Sequence, residues 1–247
     1  MPEEPQEAKD PPPTLQAVQG AIAAGMGPRG VMIARAFSKF CDSAEMLQLA
    51  ALLSEHGMIA PLAGMWRNRQ REPEEATPYA EALNGLANIM AQQGRLDDAL
   101  RVLREAGSEA PQLAHIQRNI ASILLERGEY EGALAICGRL LDANPQDFET
   151  AELTGMIQYN TGDPELAVEN LQLAFESGRV QAGMWLLKAC VLANRDGDAA
   201  QTLRRLDAEH HDRASVMLQL ELQEPGSPLH TLQGAPGMDV LVRKLLA

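Results

Sequence analysis

Few residues of this 247-residue chain are grouped in a way that would support catalysis or metal binding. His210, His211 and Asp212 form the tightest cluster of potential metal ligands. On a helix, however, adjacent side chains point about 100° apart, so neighbouring histidines cannot chelate one ion as an i, i+4 pair would. We expect these three residues to be polar surface groups, and no metal site is predicted.

The three cysteines, Cys41, Cys137 and Cys190, offer no better prospect of chemistry. They lie far apart, with no CxxC pair and no matching histidine spacing, which excludes a disulfide framework and a standard zinc site. The glycine-rich stretch 25–30 lacks the Lys-Ser/Thr pair that completes a phosphate-binding loop. We therefore predict a non-enzymatic protein without catalytic residues or cofactors, in a reducing compartment such as the cytoplasm.

Composition narrows the classes of partner and fold. There are 34 acidic and 21 basic residues, a formal net charge of −13, which argues against nucleic acid as a partner. No apolar run approaches the ~18 residues of a membrane-spanning helix, so we expect no membrane insertion. Apolar residues make up 45% of the chain but aromatic residues only 4%. A core of Ala, Leu, Met and Val favours closely packed helices.

A repeat governs the middle of the chain. Gly94, Gly128 and Gly162 recur every 34 residues, and each is flanked by apolar residues at helical spacing. A left-handed glycine that ends the first of two helices explains this pattern as a series of helical hairpins. Small residues recur at the same 34-residue interval, at positions where the paired helices must approach closely. They form two columns: Ala87, Ala121, Gly155 and Ala189, and Ala99, Ala133 and Ala167.

This pattern resembles the tetratricopeptide repeat, a 34-residue helix-turn-helix unit. In its register the clear repeats are 80–113, 114–147 and 148–181, with degenerate repeats at 43–76 and 182–216. The resemblance implies an all-α fold, a right-handed α-solenoid of stacked helical hairpins with extra terminal helices. Pro61 is the main departure, because it falls inside the second helix expected for the first degenerate repeat.

The ends of the chain differ from the repeats. We expect the following divisions: a disordered, acidic, proline-rich arm at 1–14, amino-terminal helices at 15–42, the solenoid at 43–222, a linker at 223–237, and an amphipathic helix at 238–247. The last helix has one apolar stripe: Met238, Leu241, Val242, Leu245 and Leu246. This stripe would cap the last hairpin, enter a groove of a second copy or a partner, or rest on a membrane surface. A homo-oligomer through the terminal helices is therefore one expectation.

The resemblance also implies a concave groove for a peptide or helix, lined by the first helices of the hairpins. It places these residues there: Asn84, Asn88, Arg118, Asn119, Ser122, Leu125, Glu152, Met156, Tyr159 and Leu186. Amide side chains would bind a partner's backbone, while Met, Leu and Tyr would supply apolar sockets. The alternative is that the asparagines only cap or solvate this face.

Asn88 and Asn119 match the two asparagines of family members that clamp the acidic carboxyl ends of heat-shock chaperones. Asn84, Glu149 and Leu153, however, stand where those proteins have basic residues. We therefore do not expect a carboxylate clamp in a chain of this charge.

Two functions follow from the resemblance. The first is a scaffold or adaptor that holds a segment of a partner protein in the groove to assemble a complex. The alternative is a bacterial secretion or assembly chaperone that shields an apolar segment of its substrate, similar to the acidic, all-helical class II chaperones of type III secretion.

Overall fold

The computed structural model describes residues 13–68, 72–234 and 237–246. In this part of the chain every regular element is helical and there is no strand, which confirms the predicted all-α fold of tetratricopeptide-like hairpins. The α-helices are α1 (Leu15–Ala23), α2 (Gly27–Phe37), α3 (Ser43–Glu55), α4 (Ile59–Arg67), α5 (Ala76–Gln92), α6 (Leu96–Glu109), α7 (Ala114–Glu126), α8 (Tyr130–Ala143), α9 (Phe148–Thr161), α10 (Pro164–Glu176), α11 (Val180–Leu192), α12 (Asp196–Gln223) and α13 (Met238–Leu246).

The chain divides into two compact units between Ile116 and Gln117. Unit 1 contains the hairpins α1/α2, α3/α4 and α5/α6. Unit 2 contains most of α7, then α8, α9/α10, α11/α12 and α13. The predicted disordered arm lies outside the described residues, apart from Pro13 and Thr14. The Thr14 side chain accepts a hydrogen bond from the Ala17 N–H and so caps α1.

Each hairpin turns at one residue with a left-handed backbone. Gly94, Gly128 and Gly162 have φ of 74°, 74° and 85°. After Gly94, the Arg95 N–H donates to the Met90 carbonyl at 2.9 Å, the long bond of a Schellman motif. The following helix begins two residues beyond each glycine. Two upstream hairpins turn in the same way, at Gly25 and Gly57.

Asn194 takes the place of glycine in the fourth of these 34-residue units. Its φ is 55°, and the Arg195 N–H donates to the Cys190 carbonyl at 2.8 Å. Asparagine tolerates this conformation better than other non-glycine residues. The turn lies 32 residues after Gly162, because α10 has 13 residues where α8 has 14 and the connection to the next helix is also shorter. The structure thus corrects the predicted register, since the fourth hairpin begins at Val180 rather than at 182.

Pro61 does not interrupt the hairpin formed by α3 and α4. It is the third residue of α4. The N–H groups of a first helical turn have no partner within their own helix, so a proline there removes no intrahelical hydrogen bond. Pro61 therefore does not break the second helix of this repeat, as its position in the sequence had suggested.

The carboxyl-terminal stripe is buried on its own chain. Met238, Val242 and Leu245 of α13 join Ala214 and Leu218 of α12 in one hydrophobic core. Most of the stripe therefore packs against the last hairpin of its own chain.

Part of the segment predicted to be a linker at 223–237 is folded and packed. It contains a 3-10 helix, Pro228–Gln233, whose Leu229 and Leu232 belong to the same hydrophobic core. Prolines and glycines thus mark a short folded connection here, because two leucines in the segment have apolar surface to bury.

Replacing Gly155 with alanine tests how closely α9 and α10 approach. A Cβ atom at Gly155 would lie 2.9 Å from Leu171 Cδ2 and 3.2 Å from the Ala167 carbonyl oxygen. We expect Gly155→Ala to lower the free energy of unfolding by about 1–3 kcal/mol. Gly138→Ala is the matched control, because nothing lies within 4 Å of its Cβ position; it should stabilise by about 0.5–1 kcal/mol. Urea unfolding followed by circular dichroism measures both, and equal stabilities would contradict the close contact.

Aspartate substitutions in α13 test its role as a cap. Val242 is 2% exposed and Val240 is 64% exposed. Val242→Asp should lower the free energy of unfolding by about 3 kcal/mol or more, because it buries an unpaired charge. Val240→Asp should change it by less than about 0.5 kcal/mol. If thermal melts gave both variants the wild-type stability, α13 would not be docked as described.

Candidate partner-binding site

Four side chains of α9 and α11 form what we call the aromatic face: Met156, Tyr159, Trp185 and Lys188. The rings of Tyr159 and Trp185 meet edge to face, with centroids 5.3 Å apart and planes inclined at 70°. Lys188 Nζ lies 4.2 Å from the centre of the Trp185 ring, within range of a cation–π interaction. Met156 precedes Tyr159 by three residues and lies on the same side of α9.

Lys188, the cation of the aromatic face, forms an ion pair with a carboxylate of α12. Lys188 Nζ lies 2.7 Å from Glu221 Oε1. This contact depends on a kink in α12 at His210, whose φ of −142° is not helical and redirects the second half of the helix. Lys188 is therefore fixed between an aromatic ring and a carboxylate.

Tyr159 and Trp185 each keep a polar group available. Neither the Tyr159 hydroxyl nor the Trp185 indole N–H has a hydrogen-bond partner among the residues that the structure describes. Burial, and then the charge of Glu221, raise the pKa of Tyr159 above its usual value, so the phenol stays protonated. A half-buried aromatic ring with a free polar tip is typical of an interface position.

A second group of charges lies where α7, α9 and α11 begin, and we call it the ion-pair ladder: Arg118, Asp147, Glu149, Glu152 and Arg179. Arg118 lies 2.7 Å from both Asp147 and Glu149. Arg179 lies 2.5 Å from Glu152 and 3.4 Å from Glu149. Both guanidinium groups are thus paired, and carboxylates outnumber them. A ligand carboxylate would have to displace these partners.

Asp147 is also the cap of α9. Its carboxylate accepts hydrogen bonds from the Thr150 N–H at 3.1 Å and from the Thr150 hydroxyl at 2.7 Å. Burial of this carboxyl favours its neutral form. The hydrogen bonds from Thr150 and the charge of Arg118 outweigh that effect and hold the pKa of Asp147 below its usual value.

The residues predicted for the groove belong to more than one of the groups described above. Met156 and Tyr159 lie on the aromatic face, whereas Arg118 and Glu152 are members of the ion-pair ladder. Leu186 is only 3% exposed and lies among residues such as Phe175 and Thr202. Its placement in the groove was an error of register.

Trp185 and Lys188 are the residues that this error missed. With the 32-residue offset they correspond to Leu153 and Met156 of the preceding repeat, two positions that the family's groove uses. The sequence signal for that offset is the segment from Asn194 to Ala199, which repeats the spacing of Arg95, Asp98 and Ala99.

The other residues predicted for the groove lie on α5 and α7, where each is half-buried or exposed. Asn84 and Asn88 lie on α5 in unit 1, where Asn84 is half-buried and Asn88 exposed. Asn119, Ser122 and Leu125 lie half-buried on α7 in unit 2. Their contact with a partner stays a prediction.

The cysteines and histidines that could act as nucleophiles or metal ligands are buried or bonded to neighbouring side chains. Burial raises the pKa of Cys137 and of Cys190 to about 11, so neither thiol ionises at neutral pH. The Asp207 carboxylate lies 3.0 Å from His211 Nδ1. Across the described ranges, no three His, Cys, Asp or Glu side chains are grouped to hold a metal ion. In the same ranges no helix has the length and apolarity to cross a bilayer.

Repeated helical hairpins with this turn define a class of α-helical repeat protein. Residues 90–157 match the tetratricopeptide repeat family. Residues 90–157 thus carry tetratricopeptide repeats, in agreement with the repeat pattern of the sequence. This class supports a role as a protein-interaction scaffold. No curated protein matches the chain.

Solved structures of MamA have a similar fold. The ArsTM double mutant of MamA from strain RS-1 is 16% identical, with a TM-score of 0.55 over 69% of this chain and 95% of that one. A crystal structure of MamA protein is 13% identical, with a TM-score of 0.53 over 68% and 92%. MamA from strain AMB-1, in a P212121 crystal, is 14% identical, with a TM-score of 0.51 over 72% and 98%. Identities this low show a shared fold only.

Asp147→Ala tests the charged cap beneath the ion-pair ladder. We expect a loss of about 1–2 kcal/mol in unfolding free energy at pH 7. A carboxyl whose folded pKa is depressed stabilises the protein above its unfolded pKa of about 3.9, and that contribution is lost as pH falls through the folded pKa. The difference between wild type and Asp147→Ala should therefore shrink as the pH is lowered from 5 to about 2.

Asp163 provides the control for this measurement. It caps α10 by position but makes no side-chain capping hydrogen bond. Asp163→Ala should cost only about 0.5 kcal/mol. Equal losses in the two variants, or a loss at Asp147 that does not change with pH, would contradict the capping role.

Proposed function

We propose that the aromatic face binds a segment of a partner protein, and that the chain acts as a non-enzymatic scaffold or adaptor that assembles a complex. One observation carries this proposal: Tyr159 and Trp185 are half-buried side by side, with a free hydroxyl and a free indole N–H. Rings in this state offer apolar contact area and hydrogen bonds to a partner's backbone at the same point.

The rigidity of the aromatic face supports the same function. Lys188 is positioned by Trp185 on one side and by Glu221 on the other. Preordered aromatic side chains lose little conformational entropy on binding, which is one reason why Trp and Tyr dominate interface energetics. The partner segment therefore needs apolar side chains and an accessible backbone at this position.

Charge limits which segment fits. Both guanidinium groups of the ion-pair ladder are paired, and the whole chain has a net charge of −13. A neutral or basic segment suits this surface, and an acidic carboxyl terminus does not. The three cysteines are buried and form no disulfide, which suits a reducing compartment such as the cytoplasm.

A bacterial secretion or assembly chaperone is the alternative within the same proposal. The two functions differ in the state of the partner that binds. An adaptor requires a defined motif or a folded partner surface, whereas a chaperone binds an extended segment and tolerates an unfolded partner.

Site-specific photo-crosslinking tests the aromatic face. The photoreactive residue p-benzoylphenylalanine replaces Met156 in one sample and Leu166 in the other. Leu166 is an exposed leucine of α10 and serves as the control. We expect a partner peptide, identified by mass spectrometry of native lysate, to crosslink at 156 and not at 166. Equal labelling at the two positions, or labelling at 166 alone, would contradict the proposal.

Conservative substitutions then test the two polar tips. Tyr159→Phe and Trp185→Phe keep a ring but remove the hydroxyl and the indole N–H. Each should weaken binding of the crosslinked partner about three- to tenfold. Tyr130→Phe removes a hydroxyl from α8 and should leave the affinity unchanged. Titration calorimetry with the identified peptide measures all three.

A further inference from the structure

Unit 1 begins with a segment whose charge is opposite to that of the chain as a whole. Residues 13–41 contain Arg29, Arg35 and Lys39 and neither aspartate nor glutamate, whereas the whole chain has a net charge of −13. The three basic residues are exposed, and they lie on α2 or in the turn that follows it. Positive charge is therefore concentrated at one helix.

These cations are not neutralised within the part of the chain that the structure describes. No carboxylate there forms an ion pair with any of them; Arg29 Nη1 instead approaches the Met26 sulfur at 4.0 Å. Arg67, Arg118 and Arg179, in contrast, each lie 2.5–2.7 Å from a carboxylate. The cations at α2 are thus available to an anion from outside these residues.

Large apolar side chains are exposed between the cations. Met32 is 64% exposed, and it lies three residues from both Arg29 and Arg35 on the same face of α2. Phe40, directly after Lys39, is 74% exposed. With Met26, which precedes α2, these residues form what we call the basic apolar patch: Met26, Arg29, Met32, Arg35, Lys39 and Phe40.

The packing of α2 does not account for the exposed apolar side chains. Gly30, Ala34 and Phe37 form the buried side of this helix. A Cβ atom at Gly30 would lie 2.8 Å from Ile22 Cγ1, so α1 is already packed against that side. Met32 contributes little to this contact, and its exposure to water is unfavourable unless another surface covers it.

The charge and shape of the basic apolar patch suit an anionic membrane surface. Lysine and arginine near a bilayer are attracted to anionic headgroups, and neighbouring apolar side chains enter the boundary between headgroups and acyl chains. A folded protein partner would need a recess for each protruding side chain, whereas lipids rearrange around them. The patch follows the 11 residues of α2, about 16 Å of helix, which can lie flat on a bilayer.

We propose that α2 and the turn after it dock on a membrane surface that contains anionic lipids. Met26, Met32 and Phe40 enter the headgroup region, and Arg29, Arg35 and Lys39 pair with anionic headgroups. The contact is peripheral, with the rest of unit 1 outside the bilayer. It does not involve the aromatic face, so it stands even if that face has no partner.

Sedimentation of the full chain with sucrose-loaded vesicles tests this proposal. One set of vesicles is phosphatidylcholine alone, and the other contains about 30% phosphatidylserine. We expect binding to the phosphatidylserine vesicles to be at least about tenfold stronger. It should weaken when the salt concentration is raised from about 0.1 M to about 0.5 M, because salt screens the attraction between exposed charges.

Neutral variants test the three cations. Replacing Arg29, Arg35 and Lys39 together with glutamine should weaken binding to the phosphatidylserine vesicles at least about tenfold. A control variant removes the same net charge from three exposed arginines of other helices: Arg104→Gln, Arg139→Gln and Arg204→Gln. The control should bind within about twofold of wild type, because its cations lie away from the patch.

Phe40→Ser tests the apolar part of the patch. It should weaken binding about fivefold, because the ring no longer enters the headgroup region. Leu220→Ser is the matched control, since Leu220 is a 59% exposed apolar residue of α12; it should bind as wild type does. Thermal melts of every variant check that any lost binding is not due to unfolding.

Three results would overturn the proposal. The first is equal binding of wild type to the two kinds of vesicle. The second is equal binding of the two triple variants to the phosphatidylserine vesicles. The third is binding of a polyglutamate peptide by wild type without binding to vesicles, which would assign the basic apolar patch to an acidic protein segment instead.

Discussion

The turn at a single left-handed residue determines which side chains the two helices of each hairpin present to their neighbours. In each hairpin it ends the first helix with a Schellman hydrogen bond and lets the second helix begin two residues later. The paired helices then approach closely, and Gly155 shows the limit of that approach, since a methyl group there would meet Leu171. Because the turn fixes the phase of both helices, a change in its spacing rotates every side chain that the next hairpin presents.

The hairpins and their turns up to Gly162 could be predicted from the sequence, because glycine and small-residue columns repeat at a constant interval. The fourth hairpin was harder, since asparagine replaces glycine and the interval shortens to 32 residues. A signal was present nonetheless: Arg195, Asp198 and Ala199 repeat the spacing of Arg95, Asp98 and Ala99. In both places the arginine Nε bonds the aspartate Oδ2, at 2.9 Å after Gly94 and at 2.6 Å after Asn194.

The sites were only partly predictable, because they depend on contacts between helices distant in sequence. Met156 and Tyr159 could be assigned to the groove face from the positions that they occupy in the family's repeat. The pairing of Lys188 with Glu221 could not, since it requires the kink at His210 to redirect α12.

The 32-residue offset places Trp185, and not Leu186, against Tyr159. Nuclear Overhauser spectroscopy on protein with labelled tyrosine, tryptophan and leucine tests it most directly, and the chain has only three tyrosines and two tryptophans to assign. We expect cross-peaks between the Tyr159 and Trp185 rings, whose centroids lie 5.3 Å apart. Cross-peaks from Tyr159 to the Leu186 methyl groups, without any to Trp185, would contradict it.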